Sequence, residues 1–119
     1  MKAVIDADAS VFTLINTFEV DPGKALDIVE SLRGFTESDT QHMAGFVSAS
    51  VHVSIDRTRV VNYVQWRSRE DFEAMLLSPD ARAHMAEVGT LAEHITPVVY
   101  GIAYVCDRQG TSTSRTLDE

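Results

Sequence analysis

An α+β fold with an antiparallel sheet is predicted by this 119-residue sequence. Apolar residues alternate with period two in strand-like runs and recur three and four residues apart in helix-like runs. These runs follow each other in the order strand, helix, strand, strand, helix pair, strand. This order is the split βαβ arrangement of ferredoxin-like domains. A chain of this length that is 45% hydrophobic can bury one core but not two.

The predicted domain spans residues 11–106 and lies between two extensions. Residues 1–10 form the N-terminal extension. Residues 107–119 are rich in Ser, Thr and charged side chains, and such a segment cannot bury enough apolar surface to offset the entropy lost on ordering. We therefore expect a disordered tail at this end.

The first strand is expected over residues 11–20, and a helix follows it directly. Asp21 supplies a capping side chain, and Pro22 takes the first helical position, where a missing N–H removes no helical hydrogen bond. Apolar residues then recur at helical spacing at Ala25, Ile28, Val29, Leu32 and Phe35. This spacing predicts one helix with a single apolar stripe.

Two strands joined by a short turn follow this helix. Gly45 marks the entry into the second strand, residues 46–55. Asp56 and Arg57 interrupt the pattern before the third strand, residues 59–67. Strand-like runs this close in sequence predict a β-hairpin.

Two short helices and a last strand complete the predicted domain. Ser68 and Asp71 resemble a capping box at the first helix, and Ser78 with Pro79 begins the second. The apolar faces of the two helices are Phe72, Met75 and Leu76, and then Ala81, His84, Met85, Val88, Leu91 and Ala92. Pro97 is expected to open the last strand, residues 98–105.

Two of the predicted strands each carry one asparagine on an apolar face. Asn16 shares its face of the first strand with Phe12, Leu14 and Phe18. Asn62 shares its face of the third strand with Val60, Val64 and Trp66. A buried amide without a partner costs about 1 to 3 kcal/mol, so each asparagine is either tied to a neighbour or available to a ligand. We expect this face to be turned toward the helices, where it forms an internal pocket.

The opposite face of the sheet also needs a cover, because a sheet with helices on one side leaves the other side open. The strands carry apolar residues on both faces. We therefore predict a homodimer in which two copies pack sheet to sheet.

Charge and composition exclude several classes of partner. With 10 basic and 18 acidic residues the net charge is -8, which argues against nucleic acid and anionic membranes. No run approaches the roughly 18 apolar residues of a membrane span. The single cysteine, Cys106, forms no internal disulfide, which fits a cytoplasmic location. The four histidines lack metal-ligand spacing, and no glycine fingerprint for a dinucleotide and no P-loop is present, so we expect no bound metal and no nucleotide cofactor.

The sequence resembles the antibiotic biosynthesis monooxygenase family over residues 11–105. The resemblance lies in INTF of the first strand, GFVSASVHVSID of the second, VVNYVQWRSREDF of the third and SPDARAH of the last helix. Members of this family are small dimeric ferredoxin-like proteins. The chain is most similar to cofactor-independent oxygenases of aromatic polyketide pathways, which oxidise anthrones to quinones. This similarity implies catalytic roles for Asn62, Trp66 and Asn16.

Dioxygen reacts slowly with closed-shell molecules, so such an oxygenase requires a substrate that becomes an electron-rich carbanion or phenolate. A polycyclic aromatic anthrone meets this requirement, and the expected partners are this substrate and dioxygen. Further substrate contacts are predicted at His52, Phe72, His84, Met75 and Phe18. Either His52 or His84 is a candidate proton acceptor, because histidine titrates near neutral pH.

The chain departs from the family pattern at two positions. Phe72 stands where some members carry tyrosine, and Ala86 stands where some carry arginine. A mechanism that depends on that phenol or that guanidinium is therefore not expected here.

Two alternative functions use the same pocket. One is a non-catalytic subunit that binds an aromatic polyketide for another enzyme. The other is a haem-degrading or quinol-oxidising relative. Haem-degrading members combine a first-strand asparagine with a tryptophan and a histidine on the helices. Asn16 and His84 match two of these positions, but Met75 occupies the tryptophan position and disfavours this alternative.

Overall fold

The computed structural model describes residues 2–6 and 11–114. Its elements in chain order are β1 (Phe12–Glu19), α1 (Ala25–Ser38), β2 (Phe46–Val53), β3 (Arg59–Trp66), α2 (Arg69–Leu77), α3 (Pro79–Gly89), β4 (His94–Tyr100), β5 (Tyr104–Cys106) and β6 (Ser112–Ser114). The first four strands form an antiparallel sheet in the order β2-β3-β1-β4. The predicted ferredoxin-like α+β fold is confirmed.

The central strand β1 places the two asparagines side by side. Asn16 is the register partner of Asn62 on β3 and of Pro97 on β4. Residues directly opposite each other in an antiparallel pair point to the same face of the sheet. On this face Phe18 and Val60 pack against Ile28 and Leu32 of α1. The sequence therefore correctly predicted which face of the sheet meets the helices.

The core consists of two clusters on the helix side of the sheet. The first contains Phe18, Val20, Ala25, Ile28, Leu32, Val60 and Val88. The second contains Leu14, Val64, Trp66 and Phe72. Both clusters contain side chains of β1 and β3. At one end of the sheet these strands pack against α1 and α3, and at the other end they pack against α2.

The start of α1 differs from the prediction. A single 3-10 turn, Pro22–Lys24, separates β1 from α1, and the Asp21 side chain makes no capping hydrogen bond. Because α1 begins at Ala25, the Asp21 carboxylate is a full turn away from the free N–H groups of the α-helix. The predicted aspartate cap is therefore wrong.

Both later helices begin at serine caps, as predicted. Ser68 Oγ accepts a hydrogen bond from the Asp71 N–H at 3.2 Å and donates one to the Asp71 carboxylate at 2.9 Å. Ser78 Oγ accepts from the Ala81 N–H at 3.4 Å, and Pro79 follows it as the first helical residue.

The last strand of the sheet begins earlier than predicted. β4 starts at His94, and Pro97 lies inside the strand rather than at its start. β4 is an edge strand, where a missing N–H need not break a ladder hydrogen bond. An interior proline is therefore compatible with this strand, and the predicted start at Pro97 is wrong.

The predicted disordered tail is ordered in its first part. β5 and β6 pair as a separate antiparallel hairpin, so residues 107–114 have defined structure. The Asp107 carboxylate accepts hydrogen bonds from the N–H groups of Gln109 and Thr111, both at 3.0 Å, and so closes the turn. The remainder of the predicted tail, residues 115–119, lies outside the described residues, as do residues 1 and 7–10 of the predicted N-terminal extension.

The face of the sheet opposite the helices is partly covered by other segments. Ile5 and residues 100–104 surround a cavity of about 390 Å³ above Thr13, Ile15 and Tyr63. None of the helices in the described part of the chain is long and apolar enough to cross a membrane.

Candidate active site

Two unpartnered amides lie at the centre of the helix-facing side of the sheet. The side-chain oxygens of Asn16 and Asn62 are both buried, and no described residue supplies either with a hydrogen bond. The register places the two residues directly opposite each other, which puts their Cβ atoms about 5 Å apart. Each buried oxygen left unpaired costs about 1 to 3 kcal/mol, a cost that a bound ligand with donor groups would remove.

Trp66 adds an unpartnered donor at the end of β3, the strand that carries Asn62. Its side chain is fully buried, and its indole Nε1 has no hydrogen-bond partner among the described residues. The ring packs edge-on against Phe46, with centroids 5.9 Å apart. The Arg67 N–H donates to the Gly45 carbonyl at 2.7 Å and fixes the end of β3 just beyond the indole.

These polar atoms border a small cavity between sheet and helices, which we call the inner chamber. It has a volume of about 60 Å³. On the sheet side it is lined by Leu14, Asn16, Asn62, Val64 and Trp66. On the helix side it is lined by Leu32, Phe35, Thr36, Thr40, Met75, His84 and Met85. Its walls are therefore mainly apolar, with the asparagines and the indole as polar groups on the sheet side.

A larger cavity, which we call the outer cavity, adjoins the inner chamber. It has a volume of about 500 Å³ and lies between β1, β4, α2 and α3. Leu14, Asn16, Met75 and Met85 line both spaces, so the two are neighbours that share these walls. The other outer-cavity residues include Phe72, Leu76, Arg82, Pro97 and Val99. The size and the apolar walls suit a drug-sized aromatic ligand.

His84 closes the helix side of the inner chamber. Its imidazole stacks on the ring of Phe35, with centroids 4.3 Å apart and planes within 6° of parallel. Burial lowers the pKa of His84 below the ordinary histidine value of 6.5, and the nearby Glu87 and Asp39 carboxylates oppose this shift. His84 is therefore neutral at pH 7 and has a free nitrogen lone pair with which to accept a proton.

Most of the predicted site residues lie around these two spaces. Asn16, Asn62, Trp66, Met75 and His84 line the inner chamber. Phe72 lines the outer cavity and packs against Phe12 with ring centroids 5.2 Å apart. Asn62 and Trp66 line the inner chamber and not the outer cavity, whereas Asn16 lines both.

Two predicted substrate contacts are misplaced. Phe18 is fully buried in the first core cluster and lines neither space. His52 is the register partner of Val61 on the opposite face of the sheet, where it is exposed and its Nε2 lies 3.1 Å from Ser50 Oγ. Of the two candidate proton acceptors, only His84 lies at the site.

The sequence prediction missed Arg82 and named Met85 only as part of a helix face. Arg82 is the only charged side chain among the described residues that line the outer cavity. It lies four residues before Ala86, one helical turn away on the same face of α3. The outer cavity is therefore lined by a guanidinium from the helical turn before Ala86, the position at which some family members carry arginine.

No group of three His, Cys, Asp or Glu side chains within residues 2–6 and 11–114 is arranged to hold a metal ion. The polar groups of the site are instead amides, an indole, an imidazole, a guanidinium and two threonine hydroxyls. Such groups bind and orient organic oxygen atoms through hydrogen bonds.

Comparison with known proteins finds a matching family model and a related enzyme. Residues 11–87 match the family model described as antibiotic biosynthesis monooxygenase. The tetracenomycin-F1 monooxygenase of Streptomyces glaucescens is 45% identical to this chain over 82 residues, which cover 69% of this chain and 73% of that protein.

Solved structures share the fold. A monooxygenase from the gene ActVA-Orf6 of Streptomyces coelicolor, solved in complex with nanaomycin D, superposes with a TM-score of 0.69 at 28% identity, over 79% of this chain and 88% of its own. SnoaB, a cofactor-independent oxygenase from Streptomyces nogalater, superposes with a TM-score of 0.65 at 20% identity, over 79% of this chain and 94% of its own. The second likeness concerns the fold alone.

Proposed function

Because this chain belongs to the antibiotic biosynthesis monooxygenase family and is a monooxygenase, we propose that it oxidises a polycyclic aromatic polyketide, an anthrone, to a quinone with dioxygen and without a cofactor. The observation that carries this proposal is the group of unpartnered polar atoms on Asn16, Asn62 and Trp66 around the inner chamber, which adjoins a cavity of about 500 Å³. The names of the 45% identical relative and of the neighbour solved with nanaomycin D support the substrate class.

The reaction needs no external reductant, because the substrate supplies all the electrons. The CH₂ group that lies across the central ring from the carbonyl loses one proton to a base, and the resulting carbanion, which is conjugated to the carbonyl through the aryl rings, transfers electrons to dioxygen as a C–O bond forms. The resulting peroxide takes up a proton. Loss of the second C–H proton and cleavage of the O–O bond then release water and leave a C=O group. One oxygen atom ends in the quinone and the other in water.

The asparagines favour the deprotonated substrate. Rotation about the Cβ–Cγ bond exchanges the oxygen and nitrogen of an amide, so Asn16 and Asn62 can accept from a phenolic O–H or donate to an oxyanion. A hydrogen bond to a charged group is worth about 1.5 to 3 kcal/mol, which corresponds to about one to two pKa units per donor. For an acidic anthrone this is sufficient to populate the anion near neutral pH.

Oxygen uptake by metal-stripped protein tests this function. With dithranol, an anthrone, we expect uptake and quinone absorbance to rise well above the spontaneous rate in air, and both to cease under nitrogen. Tight binding of dithranol without added uptake would instead support the non-catalytic binding subunit. Loss of the porphyrin spectrum on adding haemin and a reductant would support the haem-degrading alternative.

We propose that His84 is the proton acceptor, and its lowered pKa predicts the pH dependence. Because the base works only when neutral, kcat/KM should rise with pH through a pKa below 6.5 and then reach a plateau. In His84→Gln this acid limb should disappear and the plateau rate should fall by about 10²-fold. The measurement is a pH–rate profile with a substrate that does not itself titrate in this range. An unchanged acid limb in the variant would assign the proton to another group.

We propose that the open face of the sheet is covered by a second copy of the chain. Ile15 lies on this face between Tyr63 and Val98, and the polar atoms Thr13 Oγ1 and Gln65 Nε2 are buried there without partners. An aspartate in this apolar row would place a charge inside the interface.

Ile15→Asp is therefore expected to sediment as a monomer under conditions in which the wild-type protein sediments as a dimer. Ile55→Asp is the matched control, because Ile55 is fully exposed at the hairpin turn and should leave the dimer intact. Circular dichroism confirms that both variants are folded. A monomeric wild-type protein, or a dimeric Ile15→Asp variant, contradicts this interface.

A further inference from the structure

A cationic side chain lies at the rim of an otherwise uncharged cavity. The outer cavity extends from Asn16, which is buried on the sheet, to a solvent-exposed rim that includes Arg82 and Val99. None of the described residues that line it is acidic. The acidic side chains of α3, Asp80 and Glu87, line a groove between α1 and α3 instead. The helix therefore presents its cation to the outer cavity and its anions to another surface.

The guanidinium of Arg82 has no partner in the part of the chain that the structure describes. It makes no ion pair and no hydrogen bond with a side chain of residues 2–6 or 11–114. Helical side chains meet at a spacing of three or four residues. The residues at this spacing from Arg82 are Ser78, Pro79, Met85 and Ala86. None of them is acidic, so α3 itself offers the guanidinium no carboxylate.

Other helical arginines of this chain are paired at that spacing. On α1, Arg33 Nη2 lies 2.7 Å from Glu30 Oε2. On α2, Arg69 Nε lies 3.6 Å from Glu73 Oε1. Arg82 does not follow this pattern, and its charge is therefore available to a group outside the chain.

The chemistry of the outer cavity favours an aromatic ligand that carries a carboxylate. A guanidinium presents a planar fork of N–H donors that matches the two oxygen atoms of a carboxylate. The attraction is stronger beside apolar walls than in open water, because the local dielectric constant is lower there. With a net charge of -8, the chain as a whole repels anions. Binding of an anionic ligand in this cavity therefore depends on the cation at its rim.

We propose that Arg82 is a specificity-determining residue that binds a carboxylate of the substrate at the rim of the outer cavity. The aromatic rings then lie in the outer cavity, with the reacting edge toward Asn16 and Asn62 of the inner chamber. An ion pair at one end and amide hydrogen bonds at the other fix the rings in one orientation, which selects the carbon that is oxidised. This inference rests on the proposed oxygenase function and narrows its substrate class to anthrone carboxylates.

A matched pair of substrates tests this contact. Rhein anthrone is dithranol with one added carboxyl group, so the ratio of kcat/KM for rhein anthrone to kcat/KM for dithranol isolates the effect of the carboxylate. In Arg82→Gln we expect this ratio to fall about tenfold, the scale of one charge-assisted hydrogen bond. Arg82→Lys keeps the charge but not the planar fork, so the ratio should fall by less.

Arg33→Gln is the matched control for these variants. It removes the same charge from a helical position that lines neither the inner chamber nor the outer cavity, and it should keep the wild-type ratio. An unchanged ratio in Arg82→Gln would overturn the contact. An equal fall in Arg33→Gln would also overturn it, because the effect would then come from the net charge of the chain.

Binding of the corresponding quinones separates this contact from the oxygenase function. Rhein carries the carboxylate and danthron lacks it, and fluorescence quenching of Trp66, the only tryptophan of the chain, measures both dissociation constants. We expect the wild-type protein to prefer rhein, and Arg82→Gln to lose this preference. If it does so while neither anthrone is oxidised, the oxygenase function fails and the contact stands. If both anthrones are oxidised but the wild-type protein binds the two quinones equally, the function stands and the contact is overturned.

Discussion

Asn62→Ala is expected to lower kcat for anthrone oxidation by about 10²- to 10³-fold, the loss typical of removing one donor from an oxyanion site. The amide oxygen has no hydrogen-bond partner among the described residues, so removing the amide breaks no hydrogen bond to that oxygen. We therefore expect little loss of thermal stability, or a small gain, because a buried unpaired polar atom is removed. The measurement is dithranol-dependent oxygen uptake with the melting temperature recorded in parallel.

Gln65→Ala serves as the control for this result. Gln65 is an amide on the same strand, but it points to the other face of the sheet, where its Oε1 accepts a hydrogen bond from Ser48 at 2.9 Å. Its loss should lower stability and leave kcat unchanged. If Asn62→Ala retained full activity, the amide would have no part in the chemistry. If both variants lost activity equally, the effect would come from damage to the strand.

The two largest errors at the site, His52 and Phe18, have different physical causes. Counting in twos from Phe46 places His52 on the helix-facing side, which agrees with a site role. The β2–β3 pairing, however, contains an irregularity between Phe46 and Ser48, and it reverses the alternation beyond that point. His52 therefore faces away from the helices. Phe18 lies on the predicted face, but period two does not indicate how far along a strand a pocket extends.

The asparagine pair shows what the sequence could predict. Alternation placed Asn16 and Asn62 on apolar faces of two strands, and the split βαβ order made those strands neighbours. Their exact opposition depends on the β1–β3 register, which no local pattern determines. In the same way, Arg82 enters the site because of the position of α3, whereas the family pattern drew attention to position 86 one turn later.

Stability near Trp66 depends on the turn that contains Gly45. Gly45 has φ of +81°, in the left-handed region that other residues adopt only with strain. A methyl group on its Cα would also overlap the Asp71 side chain, including the Asp71 Cβ, which cannot rotate away. The carbonyl of Gly45 accepts the Arg67 N–H, so a shift of this turn would move the end of β3 that carries Trp66.

Gly45→Ala is accordingly expected to destabilise the protein by about 3 kcal/mol, the combined scale of backbone strain and overpacking. Urea unfolding measures this change. Gly34→Ala is the matched control, because Gly34 lies inside α1 with free space around it, and alanine there should stabilise the helix by about 1 kcal/mol. The double variant Gly45→Ala/Asp71→Gly removes the overlap and leaves the backbone strain, so it should recover part of the loss. Wild-type stability in Gly45→Ala would show that the turn rearranges freely, and Trp66 would then owe its position to packing in the second core cluster and against Phe46.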